Sequence, residues 1–155
     1  SCCIVPERRE EVTTEGGLDV VSNLNYYENL NNILREQGIR TCFFIDPTED
    51  QVKSSLDCGV ECIEFHMGKY CKLFYEDKLQ AETEFKKIND LSIFAYESGL
   101  EVHLGHGLDF DTTKKITEIP CLQEVNIGFF LIAESIFSGL ENSIRKMKDI
   151  CNRDF

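Results

Sequence analysis

The chain contains the stretch Gly59-Val60-Glu61-Cys62-Ile63-Glu64-Phe65, in which a glycine precedes a short run rich in β-forming residues. The same pattern occurs in Gly38-Ile39-Arg40-Thr41-Cys42-Phe43-Phe44-Ile45 and in Gly99-Leu100-Glu101-Val102-His103-Leu104. Each glycine ends an amphipathic stretch, where a left-handed helix cap is required. Each run that follows has the length of a strand. The repeat therefore predicts alternating helices and strands.

The predicted strands are 2–5, 40–45, 61–66, 101–105 and 123–127, and the predicted helices are about 20–37, 47–58, about 73–98, 111–118 and about 130–151. Five consecutive βα units indicate an α/β fold with parallel strands and right-handed crossovers. An open doubly wound sheet and a closed barrel both fit this order. A full TIM (β/α)8 barrel needs about 250 residues, so five units would form an incomplete one.

The segments between the strands have helical periodicity. We expect two core-facing stripes, one of Ala81, Phe85, Ile88, Ser92 and Ala95, widened by Leu91 and Phe94, and one of Ile136, Leu140, Ile144, Met147 and Cys151. The stretch Asp46-Pro47-Thr48-Glu49 predicts a helix start, with an N-cap, a proline at the first helical position and a capping-box glutamate.

The composition limits the classes of partner. The 155 residues carry a formal net charge of −12, which argues against nucleic acid or an anionic membrane surface. No apolar run approaches the roughly 20 residues that span a bilayer, and we expect neither a membrane span nor a signal peptide. An anionic substrate is still compatible with this charge, because backbone N–H groups can hold phosphate locally.

The eight cysteines are expected to be reduced thiols of a cytoplasmic protein. Cys2, Cys3, Cys42 and Cys62 lie in strand-like runs, and Cys58, Cys121 and Cys151 lie near predicted helix ends. Cys58 and Cys62 are spaced C-x3-C, but no second pair follows at zinc-site spacing, so reduced thiols without a metal are expected, with metal or disulfide use as the alternative.

Chemistry is expected at the carboxyl ends of the strands, where α/β proteins place their active sites. Glu64 has apolar neighbours and needs a partner there, either in a structural ion pair or in a functional site. His106 stands between two glycines that leave its imidazole accessible, and imidazoles titrate near neutrality. His106 fits either a catalytic or a structural role. His103 lies within its strand and is the weaker candidate for a catalytic histidine.

A phosphate site is predicted after the last strand. In Asn126-Ile127-Gly128-Phe129, a glycine at the strand end opens onto a helix N-terminus, which provides an N–H cradle for phosphate. A plain tight turn is the alternative. The polar loop 6–19 is interpreted either as a lid that closes over the site or as a solvated loop.

Five blocks of the sequence resemble the pyridoxine 5'-phosphate synthase family, a TIM-barrel family of vitamin B6 biosynthesis. They are Cys3-Ile4-Val5-Pro6-Glu7-Arg8-Arg9-Glu10-Glu11-Val12-Thr13-Thr14-Glu15-Gly16-Gly17-Leu18-Asp19, Phe43-Phe44-Ile45-Asp46, Ile63-Glu64-Phe65-His66-Met67-Gly68, Gly105-His106-Gly107-Leu108 and Val125-Asn126-Ile127-Gly128. The blocks occur in order across essentially the whole chain, and the first is long enough to be specific. The resemblance implies one domain, 1–155, from the fourth barrel strand to the last helix.

The resemblance implies a transferase that joins 1-deoxy-D-xylulose 5-phosphate to 3-amino-2-oxopropyl phosphate, with no metal or organic cofactor. The products are pyridoxine 5'-phosphate, inorganic phosphate and water. His106 would be the acid/base histidine and Glu64 the carboxylate that stabilises the transition state. Thr13 would contact the deoxyxylulose phosphate, whereas Gly107 and the Gly128-Phe129 turn would contact the aminoketone phosphate. The family also implies a cytoplasmic homo-oligomer.

Two residues depart from the family pattern. Phe129 stands where the family commonly has histidine, and His103 stands where asparagine is usual. The family's first three strands, with a second catalytic histidine and the main catalytic glutamate, have no counterpart here, so we expect this portion to be inactive by itself. The alternatives are a non-catalytic half-barrel that only assembles with copies of itself, and a generic phosphate-binding α/β domain.

Overall fold

The computed structural model describes residues 1–6 and 16–152. Within this part of the chain, five parallel strands form one sheet. They are β1 (Cys2–Ile4), β2 (Thr41–Ile45), β3 (Cys62–His66), β4 (Glu101–Gly105) and β5 (Leu122–Asn126).

The strand order in the sheet is β1-β2-β3-β4-β5, the same as the order along the chain. Each crossover therefore leads to the next strand in the same direction, as in the wall of a barrel. A doubly wound sheet would instead reverse direction at a switch point. The sequence left both architectures open, and the observed order is that of the barrel.

The helices that connect and follow the strands are α1 (Leu24–Glu36), α2 (Glu49–Asp57), α3 (Gly68–Glu76), α4 (Lys78–Glu97), α5 (Phe110–Ile116), α6 (Phe129–Ser138) and α7 (Leu140–Cys151). A short 3-10 turn, Val21–Asn23, precedes α1. None of the described helices has the length and apolar character needed to cross a bilayer.

The two faces of the sheet differ in chemistry because successive strand residues alternate. One face joins the helices in the hydrophobic core through Phe43, Ile45, Ile63, Phe65, Val102 and Leu104. The other face, called the inner face below, carries Cys42, Phe44, Cys62, Glu64 and His103, which are also buried. The predicted α4 stripe of Ala81, Phe85, Ile88, Ser92 and Ala95 is buried, as expected.

Two predicted long helices are each a pair of helices. At Asp77 the backbone is extended, and the Asp77 side chain accepts hydrogen bonds from the Leu79 and Gln80 amides, so that α4 begins with its own cap. Gly139, with a φ of 81°, separates α6 from α7. The predicted cap at Asp46 is also wrong, because Thr48 caps α2 by accepting from the Gln51 amide.

The predicted core stripe of the last helix is wrong over most of its length. Met147 is buried, but Ile136 is 78% exposed and Leu140 and Ile144 are exposed as well. Helices α6 and α7 follow β5, which is an edge strand of the described sheet, so no further strand of that sheet lies beneath them.

Candidate active site

A cavity of about 920 Å³ opens at the carboxyl ends of the strands. Five of the six site residues predicted from the sequence line it, namely Glu64, His106, Gly107, Gly128 and Phe129. The remaining one, Thr13, and most of the predicted lid lie outside the described residues. The strand order thus brings side chains of β2, β3 and β5 and the turn that follows β4 to one cavity, as expected for an α/β site.

Glu64 is the buried carboxyl group of this cavity, with 7% of its surface exposed. Its Oε2 accepts a hydrogen bond from Asn126 Nδ2 at 2.9 Å and lies 3.7 Å from Cys3 Sγ. Burial raises the pKa of Glu64, and the hydrogen bonds from Cys3 and Asn126 offset part of that rise. Glu64 therefore exchanges a proton closer to neutral pH than an exposed glutamate does.

Gly105 provides the space that Glu64 occupies. A Cβ built on Gly105 would lie 1.8 Å from Glu64 Oε1 and 2.8 Å from its carboxyl carbon. The sequence interpretation connected Gly105 with access to His106 alone. The structure adds that any larger residue at position 105 would displace the Glu64 carboxylate.

His106 has a left-handed backbone, with a φ of 67°, and Gly107 follows with a φ of 81°. Such a conformation costs a non-glycine residue of the order of 1 kcal/mol. The His106 ring lies 4.8 Å from the His66 ring and 6.5 Å from the Phe44 ring, measured between centroids. The backbone turn and this ring cluster together hold the imidazole at the cavity.

A His66–Asp46 pair supports His106 and was not predicted as part of the site. His66 Nδ1 lies 3.2 Å from Asp46 Oδ1, which also accepts from the Gly17 amide at 3.2 Å. In the described part of the chain, the buried His66 Nε2 has no hydrogen-bond partner. His66 shares the inner face with Glu64, and the alternation along β3 could have indicated from the sequence that His66 belongs to the site. Asp46 was missed because the sequence pattern assigned it to a helix cap.

The N-terminus of α6 borders the same cavity. Gly128 is the N-cap residue, and no side chain caps this helix end. A Cβ built on Gly128 would meet no atom within 4 Å, and Phe129 is 90% exposed. The first amides of α6 are therefore accessible to an anion, which the partial positive charge of a helix N-terminus favours.

The sequence matches the family model described as pyridoxal phosphate biosynthesis protein PdxJ over residues 1–153. The pyridoxine 5'-phosphate synthase of Roseobacter denitrificans is 46% identical over 147 residues, which cover 94% of this chain and 59% of the relative. The synthase of Caulobacter vibrioides is 43% identical over 149 residues, which cover 96% of this chain and 59% of the relative. The synthase of Pelagibacter ubique is 40% identical over 151 residues, which cover 97% of this chain and 63% of the relative. The chain thus spans about three fifths of the length of these relatives.

Proposed function

Because this chain belongs to the PdxJ family of pyridoxal phosphate biosynthesis proteins, we propose that its cavity is part of a pyridoxine 5'-phosphate synthase site. The reaction would condense 1-deoxy-D-xylulose 5-phosphate with 3-amino-2-oxopropyl phosphate. The observation that carries this proposal is the position of Glu64 and His106, which line one cavity at the strand ends. A buried carboxyl group and an imidazole at one cavity are suited to proton transfer.

The proposed roles follow from the chemistry of the condensation. Joining an amine to a ketone and then losing water and phosphate requires repeated proton transfers at carbon, nitrogen and oxygen. His106 is the acid/base group, and Glu64 balances positive charge that develops on the amine-derived nitrogen. His66, held by Asp46, acts through its packing against the His106 ring and is a positioning residue.

Phosphate binding is assigned to backbone groups. The uncapped N-terminus of α6 at Gly128 and Phe129 and the left-handed turn at Gly107 offer N–H groups at the cavity. These local dipoles would hold a phosphate despite the overall charge of −12. Thr13 is proposed to contact the deoxyxylulose phosphate.

We further propose that residues 1–155 form one domain, that the protein is cytoplasmic and that it self-associates. The cytoplasmic location is supported by the eight cysteines, none of which forms a disulfide within the described part of this chain. Self-association is supported by the exposed apolar side chains Ile132, Ile136, Phe137, Leu140 and Ile144 of α6 and α7. These side chains would lie at an interface between copies, which agrees with the assembling half-barrel alternative as well as with the synthase.

The site is tested by titrating the 15N-labelled chain with 1-deoxy-D-xylulose 5-phosphate and following the amide signals of Gly107, Gly128 and Phe129. We expect saturable shifts at these amides and none with unphosphorylated 1-deoxy-D-xylulose. Shifts confined to the surface groove between α2 and α4 that Glu49, Lys86 and Lys87 line, or no shifts, would contradict the site. Inorganic phosphate binding as tightly as the sugar phosphate would favour the generic phosphate-binding domain.

Turnover by the purified 155-residue chain is a separate question. We expect no pyridoxine 5'-phosphate when both substrates are supplied, because the resemblance assigns a second histidine and the main glutamate to a part of the family's chain with no counterpart here. Product formation would overturn this expected inactivity without contradicting the function.

A further inference from the structure

A cluster of thiols and an imidazole lies on the inner face beside Glu64, toward the amino ends of the strands. Cys42 on β2, Cys62 on β3 and His103 on β4 are all buried, with exposed fractions of 7%, 1% and 5%. Their Sγ and ring-nitrogen atoms all lie within 4.8 Å of one another. We propose that Cys42, Cys62 and His103, with Cys3 as a fourth ligand, form a Zn²⁺ site that joins four strands.

The pairing of the strands produces this convergence. Cys42 and Cys62 are direct partners in the β2–β3 register, so their thiols lie side by side on the same face. His103 pairs with Glu64, one inward-facing position further along, and its ring reaches back to Cys62. Cys62 Sγ lies 3.5 Å from His103 Nδ1. Bonds of about 2.3 Å to sulfur and about 2.0 Å to nitrogen in a tetrahedral zinc site place the two ligand atoms about 3.5 Å apart.

Cys3 is the fourth ligand, and its thiol would exchange its hydrogen bond to Glu64 for the bond to the ion. It pairs with Cys42 in the β1–β2 register, and its Sγ lies within 4.8 Å of the Cys42 sulfur and of a Glu64 carboxylate oxygen. A cavity of about 380 Å³ adjoins all four proposed ligands and gives an ion a route to them. Three thiolates and one imidazole are a usual ligand set of structural zinc sites.

The surroundings of His103 suit a metal-bound imidazole. Its Nε2 lies 3.1 Å from Glu101 Oε1, so that an Nε2–H donating to this carboxylate leaves Nδ1 for the ion. Glu124 Oε1 lies 3.6 Å from Nδ1 and adds negative charge near a bound cation. Soft thiolate ligands favour zinc over magnesium or calcium, which prefer oxygen. The four ligands come from different strands, which explains why their spacing in the sequence shows no zinc motif.

The experiment is a Co²⁺ titration of the chelator-treated, reduced protein, followed by displacement with Zn²⁺. We expect one ion per chain, the visible bands of tetrahedral cobalt and a thiolate-to-cobalt charge-transfer band. Cys62→Ser and His103→Asn should each weaken binding at least about tenfold. The matched control is Cys58→Ser, because Cys58 is also a buried thiol but lies outside the cluster, 3.7 Å from the Leu24 carbonyl oxygen. The affinity of this variant for Co²⁺ should equal that of the unsubstituted protein.

Three results would overturn the proposal. They are the absence of tetrahedral cobalt bands, bands that persist in Cys62→Ser, and a Cys42–Cys62 disulfide in the protein isolated without reductant. If the variants do not fold, the proposal is tested on the unsubstituted protein by its thermal unfolding. Zn²⁺ should then raise its melting temperature whereas Mg²⁺ does not, because an ion that binds only the folded state stabilises it. Equal responses to the two ions would count against the site.

Discussion

Glu64 and Gly105 are matched across adjacent strands, because the Glu64 carboxylate fills the space that a side chain at position 105 would need. The distance from Glu64 Oε1 to a Cβ built on Gly105 would be 1.8 Å. Position 105 must therefore be glycine for as long as Glu64 keeps this orientation. Asn126, on the next strand, fixes that orientation with its hydrogen bond to Oε2.

Gly105→Ala is expected to destabilise the fold by about 1–3 kcal/mol, the usual cost of overpacking a filled interior. Urea unfolding measures this change. Gly128→Ala is the control, because a Cβ there meets no atom within 4 Å, and its stability should change little. The double variant Gly105→Ala/Glu64→Ala should lose less than the sum of the two single variants. Additive losses would contradict the contact between Glu64 and Gly105.

Glu64→Gln is expected to change the pH dependence of stability. Burial raises the pKa of Glu64 above its ordinary value of 4.5, so the folded state binds this proton more tightly than the unfolded chain does. The parent protein therefore loses stability as pH rises from about 4.5 through the folded-state pKa, and the glutamine variant lacks this loss. The difference in free energy of unfolding, variant minus parent, should increase across that range and then stay constant. A difference independent of pH would contradict the buried carboxyl group.

Phe129→His is expected to tighten binding of the sugar phosphate below about pH 6.5, where an exposed imidazole is charged. The gain should reach up to about fivefold, because an exposed charge pair contributes about 0.2–1 kcal/mol. Calorimetric titration at pH 6 and pH 8 measures it. Phe137→His is the control, because Phe137 is equally exposed but lies near the other end of α6. Equal gains in both variants would contradict a phosphate position at the α6 N-terminus.

Ile136→Lys is expected to reduce self-association by at least tenfold in dissociation constant. Ile136 lies in the exposed apolar patch of α6 and α7, and a charge there would have to be desolvated at an interface. Light scattering over a range of concentrations measures the change. Leu79→Lys on α4 is the control, because Leu79 is also exposed and lies outside that patch. A parent chain that stays monomeric at high concentration would contradict the proposed assembly.

The sequence predicted the α/β class and the family, and both are confirmed. Each strand has a short β-rich run with a period of two, so the sequence places Glu64 on the same face as Cys62 and His66 but does not say which face points inward. The helix pairs were missed because Asp77 and Gly139 interrupt stretches of otherwise continuous apolar periodicity. At these two positions the local capping residue ends one helix and begins the next, despite the continuous periodicity. A single sequence does not show which of the two signals prevails.

Other features depend on contacts between distant parts of the chain. The Asp46–His66 pair and the convergence of Cys42, Cys62 and His103 arise from strand register, which a pattern within one strand does not contain. The exposure of Ile136 depends on what lies beside α6, not on its own helical spacing. Apolar periodicity shows which side of a helix is apolar but does not identify the surface that it contacts.

The most direct test of the proposed site is the turnover of a chimera. Residues 1–155 would replace the aligned segment of the Roseobacter denitrificans synthase, to which 147 residues are 46% identical. The chimera is expected to form pyridoxine 5'-phosphate. His106→Gln should then lower its kcat by about 10²–10⁴-fold while the sugar phosphate still binds. A folded, substrate-binding chimera with no turnover, or one whose kcat is unchanged by His106→Gln, would contradict the account.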